Sequence, residues 1–450
     1  MSRRLRILLV AYQCGSGEGS VSQIGWEWFE RLAKRVKVTL VTHVRNTKAI
    51  LRSGLPAPDA EVIYVNTEAF AGPLYRTASL LFPRSQHAVF LISSLDFYYF
   101  DRKAVRILSK MQKLGHHWDL VHMVTPVSPV AIPSLHRLGM PVILGPWNGG
   151  LESPTTFPEF MKQDSAWMYP VRHLGNLFEW INGGLAGSAR ILTATLSTDR
   201  AIPSKHRSKC VRVLENGVDL SLFEATAWPS APSRKDLLRI LFVGRLLPMK
   251  GVPMLLEALK VLSSSTPCDL TIIGDGPERA LLEKQTEELG LRANVHFLGA
   301  RPLSEVSAAM RDAHVFCLPS VRESGGAVLL EAMAAARPVV AIKYGGPAEV
   351  VTDEVGRAIE PVGREYVVKE LLATFQEIVK HPDSWRRKGV AGRRRAESEF
   401  GWEAKVNRTM ELYARLVNRE QSANAARTQP GTSSAADENE RLVHSYLEVK

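Results

Sequence analysis

Cysteine is scarce in this chain, and long apolar runs are missing. The 450 residues include four cysteines, none in a Cys-x-x-Cys pair, which argues against a disulfide framework or a zinc site and favours a reducing compartment. The most apolar stretch, residues 88–100, contains Ser93, Ser94 and Asp96 and is shorter than the roughly 18–20 residues that span a bilayer. The first residues enter an apolar strand pattern without the longer run of a signal peptide. We expect a cytoplasmic protein, with peripheral attachment to the inner face of the cell membrane left open.

Familiar ligand motifs are missing as well. The first glycine-bearing turn, residues 14–20, has Ser20 where a dinucleotide-binding fingerprint has its third glycine, and it lacks the Lys-Ser/Thr of a P-loop. The chain has no convincing Asp-x-Asp metal motif. We therefore predict neither a metal site nor a cofactor. The turn around Gly17 and Glu18 offers backbone that a ligand can approach closely, and a plain mobile loop is the alternative.

Positive charge is concentrated in the first half of the chain. The net charge is +11, and residues 1–225 hold 26 Lys+Arg against 17 Asp+Glu. Such a surplus suits nucleic acid, an acidic membrane face or an anionic substrate, unless it reflects a generally basic proteome. We expect an anionic substrate and no nucleic acid, and an anionic membrane surface remains a candidate partner of the first half.

Short apolar runs alternate with amphipathic helical patterns, which is the rhythm of parallel βαβ units. Prolines and small residues interrupt it over residues 226–236 and indicate a linker. The length also favours two domains. We predict an α/β protein with two facing, Rossmann-like, doubly wound domains over residues 1–225 and 237–400. A helix over 401–419 follows, and then a disordered tail over 420–450, because its residues have little to bury.

In the second predicted domain three glycine-bearing turns follow strands. They contain Gly244, Arg245 and Lys250, then Gly276, then the stretch from Glu323 to Glu331. Because the carboxyl ends of parallel strands meet at one edge of a sheet, all three turns should face one crevice. A guanidinium and an ammonium that converge there would form a clamp for a diphosphate.

The third element carries two carboxylates, Glu323 before the Ser324-Gly325-Gly326 turn and Glu331 in the predicted helix that begins at Ala327. A glycine turn that leads into a helix N-terminus beyond a strand is an anion site, because free N–H groups and the helix dipole favour negative charge. Carboxylates are unexpected there if phosphate is the sole ligand. They are understandable if they bind hydroxyls of a sugar and of a ribose on either side of the phosphate.

These motifs resemble those of a known family. Over roughly residues 210–360 the chain is similar to the C-terminal half of the retaining GT-B glycosyltransferases of family 4. The likeness rests on Asn216-Gly217-Val218-Asp219, Gly244-Arg245 with Lys250-Gly251, Gly274-Asp275-Gly276-Pro277, Phe297-Leu298-Gly299, Glu323 to Glu331, and Gly345-Gly346-Pro347-Ala348-Glu349. The first half resembles one branch of that family more loosely, through Gly17-Glu18, His122 and Gly145-Pro146-Trp147-Asn148-Gly149-Gly150.

The resemblance implies a role for each residue of the donor site. Arg245 and Lys250 would bind the donor diphosphate and stabilise the charge it gains on leaving. Glu331 would hold the ribose hydroxyls. Glu323 would contact hydroxyls of the transferred sugar, with the backbone N–H groups of residues 324–326 near sugar or phosphate.

The resemblance also assigns roles in the first domain. The turn around Gly17 would close on the donor, and His122 would line the sugar pocket, with a buried strand-end histidine as the alternative. The first domain would bind the acceptor, and the last helix would pack back on it. The family works without a bound metal, and retention is thought to need no protein base.

Two positions depart from the family pattern. Gly325 stands where an aromatic residue is usual, which would reshape the sugar subsite, and Ala336 stands where glycine is usual, which would alter the end of the helix. We expect an enzyme that transfers a hexose-type sugar from a UDP- or GDP-linked donor to a glycan or lipid-linked acceptor, with retention, in polysaccharide or lipopolysaccharide biosynthesis. The alternatives are another GT-B enzyme (an epimerase or phosphorylase) and a non-catalytic nucleotide-sugar-binding protein.

Overall fold

A computed structural model describes residues 4–81, 95–152, 154–161 and 174–428. Those residues form two separate parallel sheets with helices packed on them, one sheet in each half of the chain. This is the doubly wound arrangement that the alternating pattern predicts.

The first sheet has seven strands in the spatial order β3-β2-β1-β4-β5-β6-β7, and every neighbouring pair is parallel. Its strands are β1 (Arg6–Ala11), β2 (Lys37–His43), β3 (Glu61–Val65), β4 (Leu120–Thr125), β5 (Val142–Trp147), β6 (Arg190–Thr193) and β7 (Cys210–Arg212). The α-helices in this half of the chain are α1 (Ser20–Ala33), α2 (Thr47–Ser53), α3 (Glu68–Leu81), α4 (Asp96–Lys113), α5 (Pro158–Met161), α6 (Leu174–Asn182), α7 (Gly184–Gly187) and α8 (Leu196–Ala201). The central strands are buried along nearly their whole length, as expected when helices cover both faces of a parallel sheet.

The second sheet has six strands in the order β10-β9-β8-β11-β12-β13, again all parallel. They are β8 (Leu238–Val243), β9 (Cys268–Ile273), β10 (Val295–Gly299), β11 (Val315–Leu318), β12 (Val339–Ile342) and β13 (Gly356–Ile359). The remaining α-helices are α9 (Val252–Leu262), α10 (Arg279–Glu288), α11 (Leu303–Asp312), α12 (Ala327–Ala334), α13 (Gly346–Val350), α14 (Arg364–Lys380), α15 (Pro382–Arg395) and α16 (Trp402–Thr428).

The strand order reverses once in each sheet, between β1 and β4 and between β8 and β11. Loops that leave neighbouring strands on opposite faces open a crevice at such a point, and ligands of open α/β sheets bind there. In the second sheet the loops at the crevice are those that follow Val243 and Leu318. These are the loops that carry the predicted Arg245–Lys250 and Glu323–Glu331 elements.

The chain changes domain earlier than predicted. Val218 and Phe223 already belong to the apolar core of the second domain, so the boundary at residue 225 lies too late. Phe157 and Phe160, from the first half of the sequence, also pack in that core. Helix α5, which begins directly after Phe157 and contains Phe160, therefore packs on the second domain although it comes from the first half of the sequence; periodicity alone does not indicate this.

The last helix packs on the first domain. Trp402, Val406, Tyr413, Leu416 and Val417 join the core formed by β1, β2 and α1. The helix extends to residue 428, so the predicted end at 419 and the start of the tail at 420 are nine residues too early. The rest of the predicted disordered tail, residues 429–450, lies outside the described residues.

Two further properties of the described part of the chain bear on function. Within it, no helix has both the length and the apolar character needed to cross a bilayer. Among the same residues, three or more His, Cys, Asp or Glu side chains are nowhere grouped so that they could hold a metal ion.

Candidate active site

The turn after β8 brings two cations to the crevice edge of the second sheet. Arg245 is exposed and, among the described residues, has no ion pair or side-chain hydrogen bond. Lys250 ends a short 3-10 turn, Pro248–Lys250, just before α9. Its side chain is only 18% exposed and forms an ion pair with Glu323. One cation is thus free for a ligand, and the other is fixed in place.

Close backbone contacts hold the glycine turns together. Gly274 has φ +135°, and a Cβ there would lie 2.0 Å from the carbonyl oxygen of Gly244. A Cβ at Gly276 would lie 2.3 Å from the carbonyl oxygen of Leu246. Any side chain at these positions would collide with backbone, which cannot give way cheaply. The glycines after β9 therefore let the turn that carries Arg245 pack on them.

Glu323 lies between the two turns of the second domain that flank the crevice. Its side chain is 14% exposed and pairs with Lys250. Its carbonyl oxygen accepts a hydrogen bond of 2.9 Å from the backbone N–H of Gly346. The main chain of this residue is therefore fixed, while its carboxylate is held beside an ammonium at the crevice. The ion pair brings together two residues that the sequence analysis assigned to the same donor site.

The glycine turn leads into helix α12 as predicted. Gly326 is the N-cap, with φ +64°, and Ala327 is the first helical residue. Ser324 is exposed, whereas Gly325 and Gly326 are buried. The first N–H groups of a helix have no partner within the helix, and together with the helix dipole they favour an anion.

Glu331 lies in the second turn of α12 and is half-buried. Within the described part of the chain its carboxylate has no hydrogen-bond or ion-pair partner. Burial raises its pKa from 4.5 to about 7. A carboxylate that is partly removed from water and left without a partner is unfavourable unless a ligand satisfies it, which fits a residue that awaits hydroxyl groups.

His122 does not line the pocket, so this prediction is wrong. The residue is completely buried within β4, and both ring nitrogens have partners inside the protein. Nε2 lies 2.7 Å from the carbonyl oxygen of Gly145 and must donate to it, so Nδ1, 2.5 Å away, accepts from the hydroxyl of Tyr413. Burial lowers the pKa of His122 to about 4. The alternative, a buried core histidine, is correct, and its role is to attach α16 to the first sheet.

The turn around Gly17 and Glu18 lies at the carboxyl end of β1, at the crevice of the first sheet. Gly17 has φ +74° with nothing within 4 Å of the position of a Cβ, and its N–H donates to Gln23 at 2.9 Å. Glu18 pairs with Arg52 at 3.2 Å on the surface of the first domain. Closure of this turn on a donor stays a prediction.

The sequence motifs did not reveal Glu215, a carboxyl group buried where the two domains meet. Its side chain lies in the coil after β7, and the residue is 4% exposed. Oε1 accepts hydrogen bonds from the amides of Asn148 at 2.5 Å and Asn216 at 2.9 Å. Oε2 is buried, and none of the described residues forms a hydrogen bond with it. Burial raises the pKa of Glu215. The only signal in the sequence is an acidic residue next to a motif asparagine, because nothing local predicts its burial.

Comparison with known proteins agrees with this geometry. Residues 227–391, which cover the second sheet and most of its helices, match the family described as glycosyl transferases group 1. The match concerns the second domain.

Curated relatives match slightly less than half of this chain. The MMP alpha-(1->4)-mannosyltransferase of Mycolicibacterium hassiacum is 30% identical over 211 residues, which cover 46% of this chain and 49% of that protein. The chain spans about half the length of the first curated relatives it matches.

Solved structures match over both domains. Anabaena HepE, in complex with UDP and glucose, has a TM-score of 0.57 at 17% identity, covering 92% of this chain and 100% of that one. WaaG, a glycosyltransferase involved in lipopolysaccharide biosynthesis, has a TM-score of 0.56 at 17% identity, covering 91% and 99%. At this identity the likeness concerns the fold, and the predicted GT-B architecture is confirmed.

Proposed function

We propose that this protein is a glycosyltransferase that uses a nucleotide-diphosphate sugar. The observation that carries the proposal is the arrangement at the crevice edge of the group 1 domain. Arg245, whose guanidinium has no partner among the described residues, follows one strand, and the ion pair of Lys250 with Glu323 joins that turn to the turn after the neighbouring strand. Glu331, in the second turn of α12, has a carboxyl group without a partner in the described part of the chain. Cations for a diphosphate and carboxylates for hydroxyls are the groups that such a donor requires.

The cations have a direct part in the proposed chemistry. When the bond from the sugar to the diphosphate breaks, negative charge grows on the leaving phosphate. Fixed positive charge aimed at that oxygen lowers the barrier, typically by several kcal/mol. Arg245 and Lys250 are placed to supply it, with Lys250 oriented by Glu323. We propose retention of configuration by analogy with the family, and we assign no protein base.

The acceptor would enter from the first domain. A cavity of about 570 Å³ lies beside residues 149–152, with Tyr344 of the second domain on its other wall. The Tyr344 hydroxyl donates to the carbonyl oxygen of Glu152 at 2.8 Å, and Gly345 beside it packs on the carbonyl oxygen of Glu323. The cavity therefore adjoins the proposed sugar site. Its mixed lining of serine, proline, isoleucine and arginine suits a glycan or lipid-linked acceptor.

Thermal shift with a panel of UDP- and GDP-linked sugars tests the proposal most directly. A ligand at a hundred times its Kd stabilises the folded state by about 2.7 kcal/mol, so a selective donor should raise the melting temperature measurably. Turnover with that donor should then require an acceptor. Turnover without an acceptor, or with free phosphate in its place, would favour an epimerase or a phosphorylase. Binding without even slow donor hydrolysis would favour the non-catalytic alternative.

We also propose that an anionic membrane surface is a partner of the first domain. Helix α4 exposes Tyr99 together with Arg102 and Arg106 of the same helix, and helix α3 exposes Tyr75 and Leu80. Apolar side chains next to cations suit the interface of an acidic bilayer. Sedimentation with vesicles should therefore depend on their content of acidic lipid.

A double charge reversal, Arg102→Glu with Arg106→Glu, should abolish the sedimentation with acidic vesicles. The matched control reverses Arg386 and Arg387, two exposed arginines of α15 in the second domain. Equal binding to neutral and acidic vesicles would refute the membrane proposal. The assignment of the donor site does not depend on this result.

A further inference from the structure

Gly325 leaves a space that the other domain fills. A Cβ on Gly325 would lie 2.1 Å from Oε1 of Glu215 and 2.7 Å from the amide nitrogen of Asn216. Real side chains essentially never come so close, so these two residues occupy the volume in which a side chain at position 325 would lie. Gly325 belongs to the turn between Glu323 and helix α12.

The Glu215 carboxyl is not free to move aside. It is 4% exposed, and Oε1 is held by the amides of Asn148 and Asn216. Lys405 of α16 holds the backbone below it, because Nζ donates to the carbonyl oxygens of Glu215 at 3.0 Å and Asn216 at 2.7 Å. The Glu215 carboxyl is therefore held in one position, in contact with the turn.

The opposite side of the same turn is also supported. A Cβ on Gly345 would lie 2.1 Å from the carbonyl oxygen of Glu323, and one on Gly346 would lie 2.6 Å from that of Ser324. The Glu323–Gly326 turn is thus held between residues 345–346 of its own domain and Glu215 at the junction with the first domain.

We propose that Glu215 is a positioning residue for the donor-sugar turn: its buried carboxyl, pinned by Asn148 and Asn216, holds residues 323–326 so that Glu323 and the adjacent backbone N–H groups meet the sugar. This inference rests on the proposed function. It assigns to Glu215 no contact with substrate. A displacement of about 1 Å at such a turn is enough to cost about a hundredfold in rate.

The proposal predicts that activity lost through a larger side chain at position 325 is recovered only when the side chain at position 215 is made smaller. Gly325→Ala should lower kcat/KM for the donor sugar by about tenfold or more, because the new methyl group meets the fixed carboxyl. Glu215→Ala removes that carboxyl, so the double variant should recover about fivefold or more of the loss, which is the coupling expected of residues in contact. Glu215→Gln has the same size as glutamate, so combining it with Gly325→Ala should give no recovery.

Two measurements separate positioning from a general loss of structure. Affinity for UDP and GDP, which lack the sugar, should stay within about twofold of wild type in all variants, since it depends on Arg245 and Glu331. The control Gly72→Ala lies at a helical position where no described atom comes within 4 Å of the new Cβ, so it should leave turnover unchanged and keep the melting temperature equal to or slightly above that of wild type.

The outcomes are distinct. Recovery in the Ala/Ala double variant, with nucleotide affinity retained, supports the proposal. Losses that simply multiply, or equal recovery with glutamine, overturn it. A parallel loss of nucleotide affinity and melting temperature in Glu215→Ala would show a merely structural role and would also overturn it. A wild-type protein that turns over no nucleotide sugar would instead remove the proposed function on which the inference rests.

Discussion

Replacing Glu331 by glutamine should stabilise the free protein and at the same time weaken donor binding. The carboxyl is half-buried, and burial raises its pKa from 4.5 to about 7. Each pH unit between the unfolded and folded pKa values corresponds to about 1.4 kcal/mol, so the full effect would be about 3 kcal/mol. Solvent that reaches a partly exposed group reduces this, and we expect about 1–2 kcal/mol.

The sign of the pH dependence follows from the direction of the shift. Between pH 4.5 and 7 the folded protein holds a proton on Glu331 that the unfolded chain has lost. Folding therefore becomes less favourable as the pH rises through this window, and above it the cost is complete. Glutamine has no proton to lose. The stabilising effect of Glu331→Gln should thus be small at pH 4.5 and reach its full size near pH 8.

Melting temperatures of wild type and variant at pH 4.5 and pH 8 measure this difference. One kcal/mol corresponds to about 2–4 °C for a domain of this size, so the variant should melt about 2–8 °C higher at pH 8. The matched control is Glu354→Gln, because Glu354 is an exposed glutamate of the same domain that forms no ion pair within the described part of the chain; it should change the melting temperature equally at both pH values.

Affinity for UDP or GDP should move in the opposite direction. A charge-assisted hydrogen bond contributes about 1.5–3 kcal/mol, so Glu331→Ala should weaken binding by roughly 10- to 150-fold. Unchanged affinity would refute the ribose assignment. A stability gain that is equal at both pH values would refute the argument from burial.

Three further predictions concern the other residues. Arg245→Ala should lower turnover by about a hundredfold or more while the melting temperature stays within about 1 °C. The guanidinium is exposed and has no partner among the described residues, so it contributes to the proposed leaving-group site and not to the fold. Equal losses of activity and stability would contradict this. Lys250→Met removes the ion pair of Glu323, so it should lower both stability and activity. We expect a loss of about 1–2 kcal/mol in the free energy of unfolding, measured by chemical denaturation, and a fall of about a hundredfold in kcat. Tyr413→Phe should lower the free energy of unfolding by about 1–3 kcal/mol in the same denaturation assay, because Nδ1 of His122 loses its buried donor. The kcat of the folded enzyme should be unchanged. A large fall in kcat would contradict the structural role of His122 and support a place in the active site.

The second domain was largely predictable because its signals are local. A strand that ends in a glycine turn with Arg245 or Glu323 places that residue at the edge of the sheet, whatever the rest of the chain does. The convergence of these turns at one edge of the sheet follows from this rule, whereas the ion pair between Lys250 and Glu323 was not predicted. The first domain gave weaker signals, and its boundary was placed too late because Val218 and Phe223 look the same in either core.

The sequence by itself thus determined two doubly wound domains, the edge of the second sheet at which ligands are expected, and the charged residues that meet there. The tertiary structure alone decided which side chains face inward. It buried His122 under α16 and pressed Glu215 against Gly325. Both outcomes depend on contacts between residues far apart in the chain. Periodicity reports which face of an element is apolar, whereas the environment of a single polar side chain is set by whichever distant segment packs on it.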